Sequence, residues 1–177
     1  MDFAQEKIYT LKDIYALPDG QRAELIDGQI YDMGPPTTLH QRVVFRLAAS
    51  INDHIKKKNG SCEVFVSPFA FFLNADDKNY VEPDISVICN KDHLSENGYH
   101  GAPDWVAEIA SPSTERMDYG IKLFKYRTAG VREYWKSVIK CRKETNHGKS
   151  TALRHLYPCF YRRAAPARQE PGGTSHR

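Results

Sequence analysis

Between Leu39 and about Lys58 the apolar residues recur at helical spacing: Val43 or Val44, then Leu47, Ile51 and Ile55. This predicts an amphipathic helix that Thr38 can cap and Gly60 can end, with basic residues 56–58 at the negative end of its dipole. Most other apolar runs are short. "YTLKDIYALPDG" reads as a short helix ended by Pro18 and Gly20. "AELIDGQIYDM" sets the turn pair Asp27-Gly28 between Leu25–Ile26 and Ile30–Tyr31, which predicts a hairpin. "CEVFVSPFAFFL" reads as two strands broken at Ser67-Pro68. "YVEPDISVIC" reads as one strand with β-branched residues on both faces, hence a central one.

Residues 90–103 are polar and marked by Gly and Pro, so they read as a loop. "DWVAEIA" is another strand. "SPST" breaks it, and Ser113 or Thr114 can cap a helix over about 115–128. Its apolar stripe would be Met117, Ile121 and Phe124, and Gly130 would end it. "REYW" opens a further strand. A hairpin, a helix, several strands, a helix and a strand predict a mixed β-sheet flanked by helices, α/β or α+β in class.

Two of these strands each carry one acid, Asp84 in "PDISVIC" and Glu108 in "WVAEIA". Strand side chains alternate faces, so Asp84 goes with Ser86 and Ile88, and Glu108 with Val106 and Ala110. If the strands are neighbours, both carboxylates can point to one side of the sheet. Two such charges about 4 Å apart repel by roughly 4 kcal/mol at an effective dielectric of 20. A divalent cation removes that repulsion, and Mg²⁺ favours one or two carboxylates with waters and a substrate phosphate. Lys122, on the helix that follows the Glu108 strand, is the candidate third member. It shares a face with Asp118 and Tyr126. Each residue also has a plainer reading: a solvated acid at a strand end for Asp84 or Glu108, a surface ion pair for Lys122 with Asp118.

The chain has 177 residues, 41% hydrophobic and 27% charged, enough for one domain with a core. No apolar run approaches the length of a membrane span, and the N-terminal residues lack a signal-peptide layout. The four cysteines form no CxxC pair. That argues against a zinc site and a disulfide framework, and predicts reduced thiols and a cytoplasmic location. The net charge of +3 conceals an asymmetry. Residues 136–177 carry ten Lys/Arg against two acids, whereas residues 1–135 carry 15 against 20. The overall basicity is therefore no sign of a basic nucleic-acid-binding face on the core.

"PD", then some 20 residues, then an acid in an apolar strand, resembles the PD-(D/E)XK nuclease superfamily. A narrower likeness lies in "AELIDGQIYDMGPPT", His40, "YVEPDISVIC", "GAPDWVAEIASPST" and the D-x3-K-x3-Y-x3-GV-x-EYW pattern of residues 118–135. These resemble a restriction-endonuclease family, long a domain of unknown function, over about residues 7–135. The resemblance implies a restriction-endonuclease-like fold and Mg²⁺- or Mn²⁺-dependent hydrolysis of DNA. Asp84 and Glu108 would be metal ligands, and Lys122 the catalytic lysine moved onto the following helix, since Ala110 stands where that lysine usually sits. Glu24 matches an acid near the N-terminal side of such sites, and His40 an accessory histidine at the head of the long helix.

Plainer readings remain open for these too: an ion pair beside the hairpin for Glu24, a helix start for His40. Asp27 reads as a turn former, Tyr126 and Trp135 as core, and Ser111 and Ser113 as capping residues. The resemblance leaves a homodimer open and implies no membrane partner. After "EYW" the family pattern stops. Residues 136–177 read as a basic tail, out of frame or otherwise non-homologous, with the sheet truncated at its C-terminal strands; a phosphate-binding arm is the alternative. Against a nuclease stand a non-catalytic nucleic-acid or protein-binding module and an inactive gene product.

Overall fold

The computed structural model describes residues 7–110, 118–138 and 159–164. Its strands form two mixed sheets, joined by a connector that carries the first candidate acid. The first sheet begins with the expected hairpin, β1 (Arg22–Ile26) and β2 (Gln29–Met33). Asp27 and Gly28 turn it, both at positive φ, 50° and 78°. That is the mirror-image two-residue turn whose twist matches flanking strands, so Asp27 is a turn former as expected. The first helix, α1 (Leu11–Tyr15), packs Ile14 against Leu25.

The long helix α2 (Thr38–Lys57) forms where its spacing predicts, with Val44 buried and Leu39, Leu47 and Ile51 packed inward. Its cap is Thr37 rather than Thr38: the Thr37 hydroxyl accepts the His40 N–H at 3.2 Å. The next strands are β3 (Glu63–Val66) and β4 (Phe71–Phe72). "YVEPDISVIC" is not one strand. It divides into β5 (Tyr80–Val81) and β6 (Ile85–Ile88), which belong to different sheets. Pro83 between them has no N–H to give a ladder, so the chain leaves one sheet there and enters the other. The expected loop at 90–103 holds a small hairpin, β7 (Leu94–Ser95) and β8 (Gly98–His100). Gly98 has φ of 136°, and a Cβ there would stand 2.4 Å from the Ala70 carbonyl oxygen, so the position requires glycine.

The second sheet continues with β9 (Trp105–Ala110). A π-helical turn, Asp118–Lys122, then runs into α3 (Leu123–Ala129), and the chain returns parallel to β9 as β10 (Glu133–Val138). Gly130, in the left-handed region, ends α3 as expected. Met117, Ser111, Ser113 and Thr114, the last two expected to cap this helix, lie outside the described residues. The expected apolar stripe is not buried: Phe124 is 65% exposed and Ile121 is exposed, while Lys125 and Tyr126 turn inward. Residue 136, where the tail was expected to begin, falls inside β10, which pairs with β11 (Cys159–Ala164).

The sheets read β2-β1-β5-β4-β8-β7 and β11-β10-β9-β6-β3. The larger core lies between them: Ile26, Phe71 and Val81 from the first, with Leu73 just after β4, meet Ile88, Val106 and Tyr134 from the second, with Tyr126 of α3. A second core joins α2 to the opposite face of the second sheet through Val44, Ile85, Ala107 and Ile109. Trp135 stacks edge-on with Trp105 there, a core role as expected.

The cysteines correct one expectation. Cys62 and Cys89 form a disulfide, with Cα atoms 4.0 Å apart, and are not reduced thiols. Glu63 pairs with Ile88 across β3 and β6, so the next rung brings these two cysteines face to face. A cross-strand pair leaves no short-spacing signature, which is why the absence of CxxC did not exclude it.

Candidate functional site

The antiparallel register of β6 and β9 matches Ile85 to Ala107 and Ser86 to Val106. Extended one rung, it sets Asp84 opposite Glu108. Ile85 and Ala107 pack toward α2, whereas Ile88 and Val106 pack between the sheets. Alternation therefore puts both acids on the inter-sheet face, as their positions along the two strands had suggested. Strand β1 contributes Glu24 from the other sheet.

Lys122 joins the two sheets. Its Nζ lies 2.7 Å from Glu24 Oε2 and 3.2 Å from Glu108 Oε1. Glu24 and Glu108 are 2% and 4% exposed, so their charges have little water around them. Each has further support. The Tyr126 hydroxyl donates to Glu108 Oε1 at 2.9 Å, and the Glu82 N–H donates to Glu24 Oε1 at 3.0 Å. Burial, with Glu108 and Glu24 nearby, pushes the Tyr126 phenol well above its usual pKa. Tyr126 therefore stays a donor throughout the ordinary pH range.

Asp84 is held differently. Its Oδ2 accepts the Ile109 N–H at 2.7 Å and faces His40 Nε2 at 3.1 Å. The hydrogen bond to Asp84 raises the His40 pKa, against the opposing effect of burial. Among the described residues, both side-chain contacts of Asp84 use Oδ2 and none uses Oδ1.

The donor set suits a divalent cation by type. Among the described residues no three His, Cys, Asp or Glu side chains group into a ready metal cage. Mg²⁺ does not need one, because two carboxylates, waters and a substrate phosphate suffice. Asp84, set opposite Glu108 by the register of β6 and β9, supplies that kind of pair.

Glu24, Glu108 and Lys122 are thus brought into direct contact, and Asp84, paired with His40, stands opposite Glu108. The Asp118 side chain lies outside the described residues. Sequence assigns no site role to three buried residues of this region. Tyr126 was read as core, which it is, and its place one turn beyond Lys122 is the signal that it also reaches Glu108. Lys125 is 4% exposed yet ion-pairs with Asp27 of the hairpin. Lys136 is buried on β10 at the position matched to Glu108. No sequence period marks a lysine as buried.

Comparison with known proteins places the chain in a family and matches its fold. A family model described as "Putative restriction endonuclease" matches residues 10–143. The chain belongs to this family. The match extends past residue 135 and takes in all of β10. Two uncharacterized proteins of Synechocystis are similar. One, slr1290, is 33% identical over 106 residues, 60% of this chain and 54% of that protein. The other, sll1609, is 27% identical over 110 residues, 61% of this chain and 60% of that protein. The matched region thus spans little more than half the length of these relatives. A solved structure from Anabaena variabilis, described as "a putative nuclease belonging to DUF820", matches with a TM-score of 0.60 at 20% identity, over 93% of this chain and 89% of that one. That likeness shows the fold. The family and fold are restriction-endonuclease-like.

Proposed function

We propose that the protein is a Mg²⁺- or Mn²⁺-dependent endonuclease that hydrolyses DNA phosphodiester bonds. The observation that supports this most is the meeting of Glu24 and Glu108 on the Lys122 ammonium, with Asp84 set opposite Glu108 by strand register. Membership of the restriction-endonuclease family points the same way. Asp84 and Glu108 are the residues that would hold the cation. When bound, it supplies water activation and stabilisation of charge developing on phosphorus.

The chain's own residues do the rest. Lys122 orients the attacking water or neutralises a phosphate oxygen. Glu24 fixes the Lys122 ammonium from the other sheet. Tyr126 holds Glu108 by donating to one of its oxygens, and His40 with the Ile109 N–H fixes the Asp84 carboxylate. In the reaction, water adds to phosphorus, the bond to the leaving sugar oxygen breaks, and that oxygen takes a proton.

The test is nicking of supercoiled plasmid with Mg²⁺ or Mn²⁺. Activity should vanish in Asp84→Ala, Glu108→Ala and Lys122→Ala. Equal nicking by wild type and Asp84→Ala would reject the proposal. One observation favours a second reading, a non-catalytic binding module of the same fold: Lys122 already balances charge between Glu24 and Glu108. Calorimetric Mg²⁺ titration separates the two. Metal binding that ignores both Asp84 and Glu108 would favour the module.

A further inference from the structure

The connector Glu82-Pro83-Asp84 links the two sheets and delivers Asp84 to the site. Contacts on both sides of Pro83 grip it. Its Glu82 carboxylate, almost buried, takes the Arg22 guanidinium through both Nε, at 3.1 Å, and a terminal nitrogen. The Tyr80 hydroxyl donates to the other oxygen of Glu82. The Glu82 N–H donates to Glu24 Oε1 at 3.0 Å. The Asp84 carbonyl accepts the Ser67 N–H at 3.2 Å, and the Ser67 hydroxyl is itself held by Arg22 at 2.9 Å. The Asp84 carboxylate accepts the Ile109 N–H.

Arg22 is thus bound to both ends of the connector at once, through the side chain of Glu82 and through Ser67. Removing it would leave a buried carboxylate with one partner fewer and the Ser67 hydroxyl without its Arg22 donor. A guanidinium suits this task because its planar fork reaches two acceptors in fixed directions, which an ammonium does not.

We propose that Arg22 and Glu82 are positioning residues that set the connector, and through it the place of Asp84 relative to Glu24 and Glu108. On the nuclease reading, on which the metal part of this proposal rests, they also set metal affinity. Neither residue touches the reacting atoms. Their effect passes through the Glu82 N–H to Glu24 and through Asp84 to the Ile109 N–H.

Amide hydrogen exchange on the full chain tests the positioning without metal, comparing wild type with Arg22→Met, Arg22→Lys and Glu82→Gln. The Glu82 and Ile109 amides should exchange at least tenfold faster in Arg22→Met and Glu82→Gln, with partial recovery in Arg22→Lys. The Lys58 and Gly60 amides at the end of α2 should keep their rates. Unchanged exchange at Glu82 and Ile109 would overturn the proposal. So would uniform acceleration everywhere, which marks general destabilisation. If Arg22→Met does not fold, Arg22→Lys and Glu82→Gln still decide it.

Mn²⁺ titration by calorimetry then tests the metal part, with a dissociation constant expected to weaken about tenfold or more in Arg22→Met. Faster local exchange with unchanged Mn²⁺ affinity would overturn that part. A wild-type protein that binds no Mn²⁺ would sink the nuclease reading, while the exchange pattern would still judge the positioning.

Discussion

Helices α2 and α3 follow opposite rules. In α2 Leu39, Val44, Leu47 and Ile51 face the core and the charged residues face out, with Phe45 the exposed exception among its large apolar side chains. In α3 and the π-helical turn that leads into it, Lys122, Lys125 and Tyr126 turn inward, while Phe124 lies in water. A helix that only packs can obey hydrophobic periodicity. A helix that delivers a cation to buried carboxylates cannot, because the groups it must cover are charged. The inversion is local evidence of a site, and it explains why Ile121 and Phe124 do not form the buried stripe that their spacing predicts.

Substitutions can break this contrast. Lys122→Met should cost the most stability, about 3–5 kcal/mol, because two buried carboxylates lose their shared cation. Urea unfolding would show it, and a change below about 1 kcal/mol would mean that the ion triplet is weaker than its geometry suggests. Tyr126→Phe removes a hydrogen bond to a charged acceptor and should cost about 1.5–3 kcal/mol in the same measurement. Val44→Ala, in the ordinary helix, should cost about 2 kcal/mol by leaving a cavity. Phe124→Ser should change stability by less than about 0.5 kcal/mol, since that side chain is exposed. The contrast fails if Phe124→Ser costs as much as Val44→Ala.

The smallest effect concerns His40. Its pKa is raised in the folded state by Asp84. Its stabilising contribution is therefore complete below the unfolded value of about 6.5 and is lost as pH rises through the higher folded value. In metal-free protein, the melting temperature of wild type relative to His40→Gln should fall between about pH 6 and 8. A constant difference across that range would show that the pair contributes nothing pH-dependent.

Local patterns in the sequence carried much of the fold. The Asp27-Gly28 turn, the spacing of α2, the strand alternation around Glu108 and the Gly130 cap each act within a few residues, so a linear reading finds them. Long-range partners were less visible. "YVEPDISVIC" reads as one strand because its residues favour strands, and only Pro83 hints that it serves two sheets. Cys62 and Cys89 are neighbours by register alone. The acid pair was legible from alternation, and the family resemblance singled out Lys122 and Glu24. The partners that hold them, Arg22, Glu82 and Tyr126, were not legible, because which buried polar group meets which depends on packing between the sheets.

The seam between the two sheets also bears on the order in which the protein assembles. Lys125 reaches Asp27 across 98 positions of sequence, and Lys122 meets Glu24 over a comparable span. A chain leaving the ribosome presents Glu24 and Asp84 well before α3 has emerged. Contacts this distant in sequence close late, after the entropy of a long loop has been overcome. The emerging chain therefore carries its acids for a time without their lysine, and only the completed chain has the whole constellation.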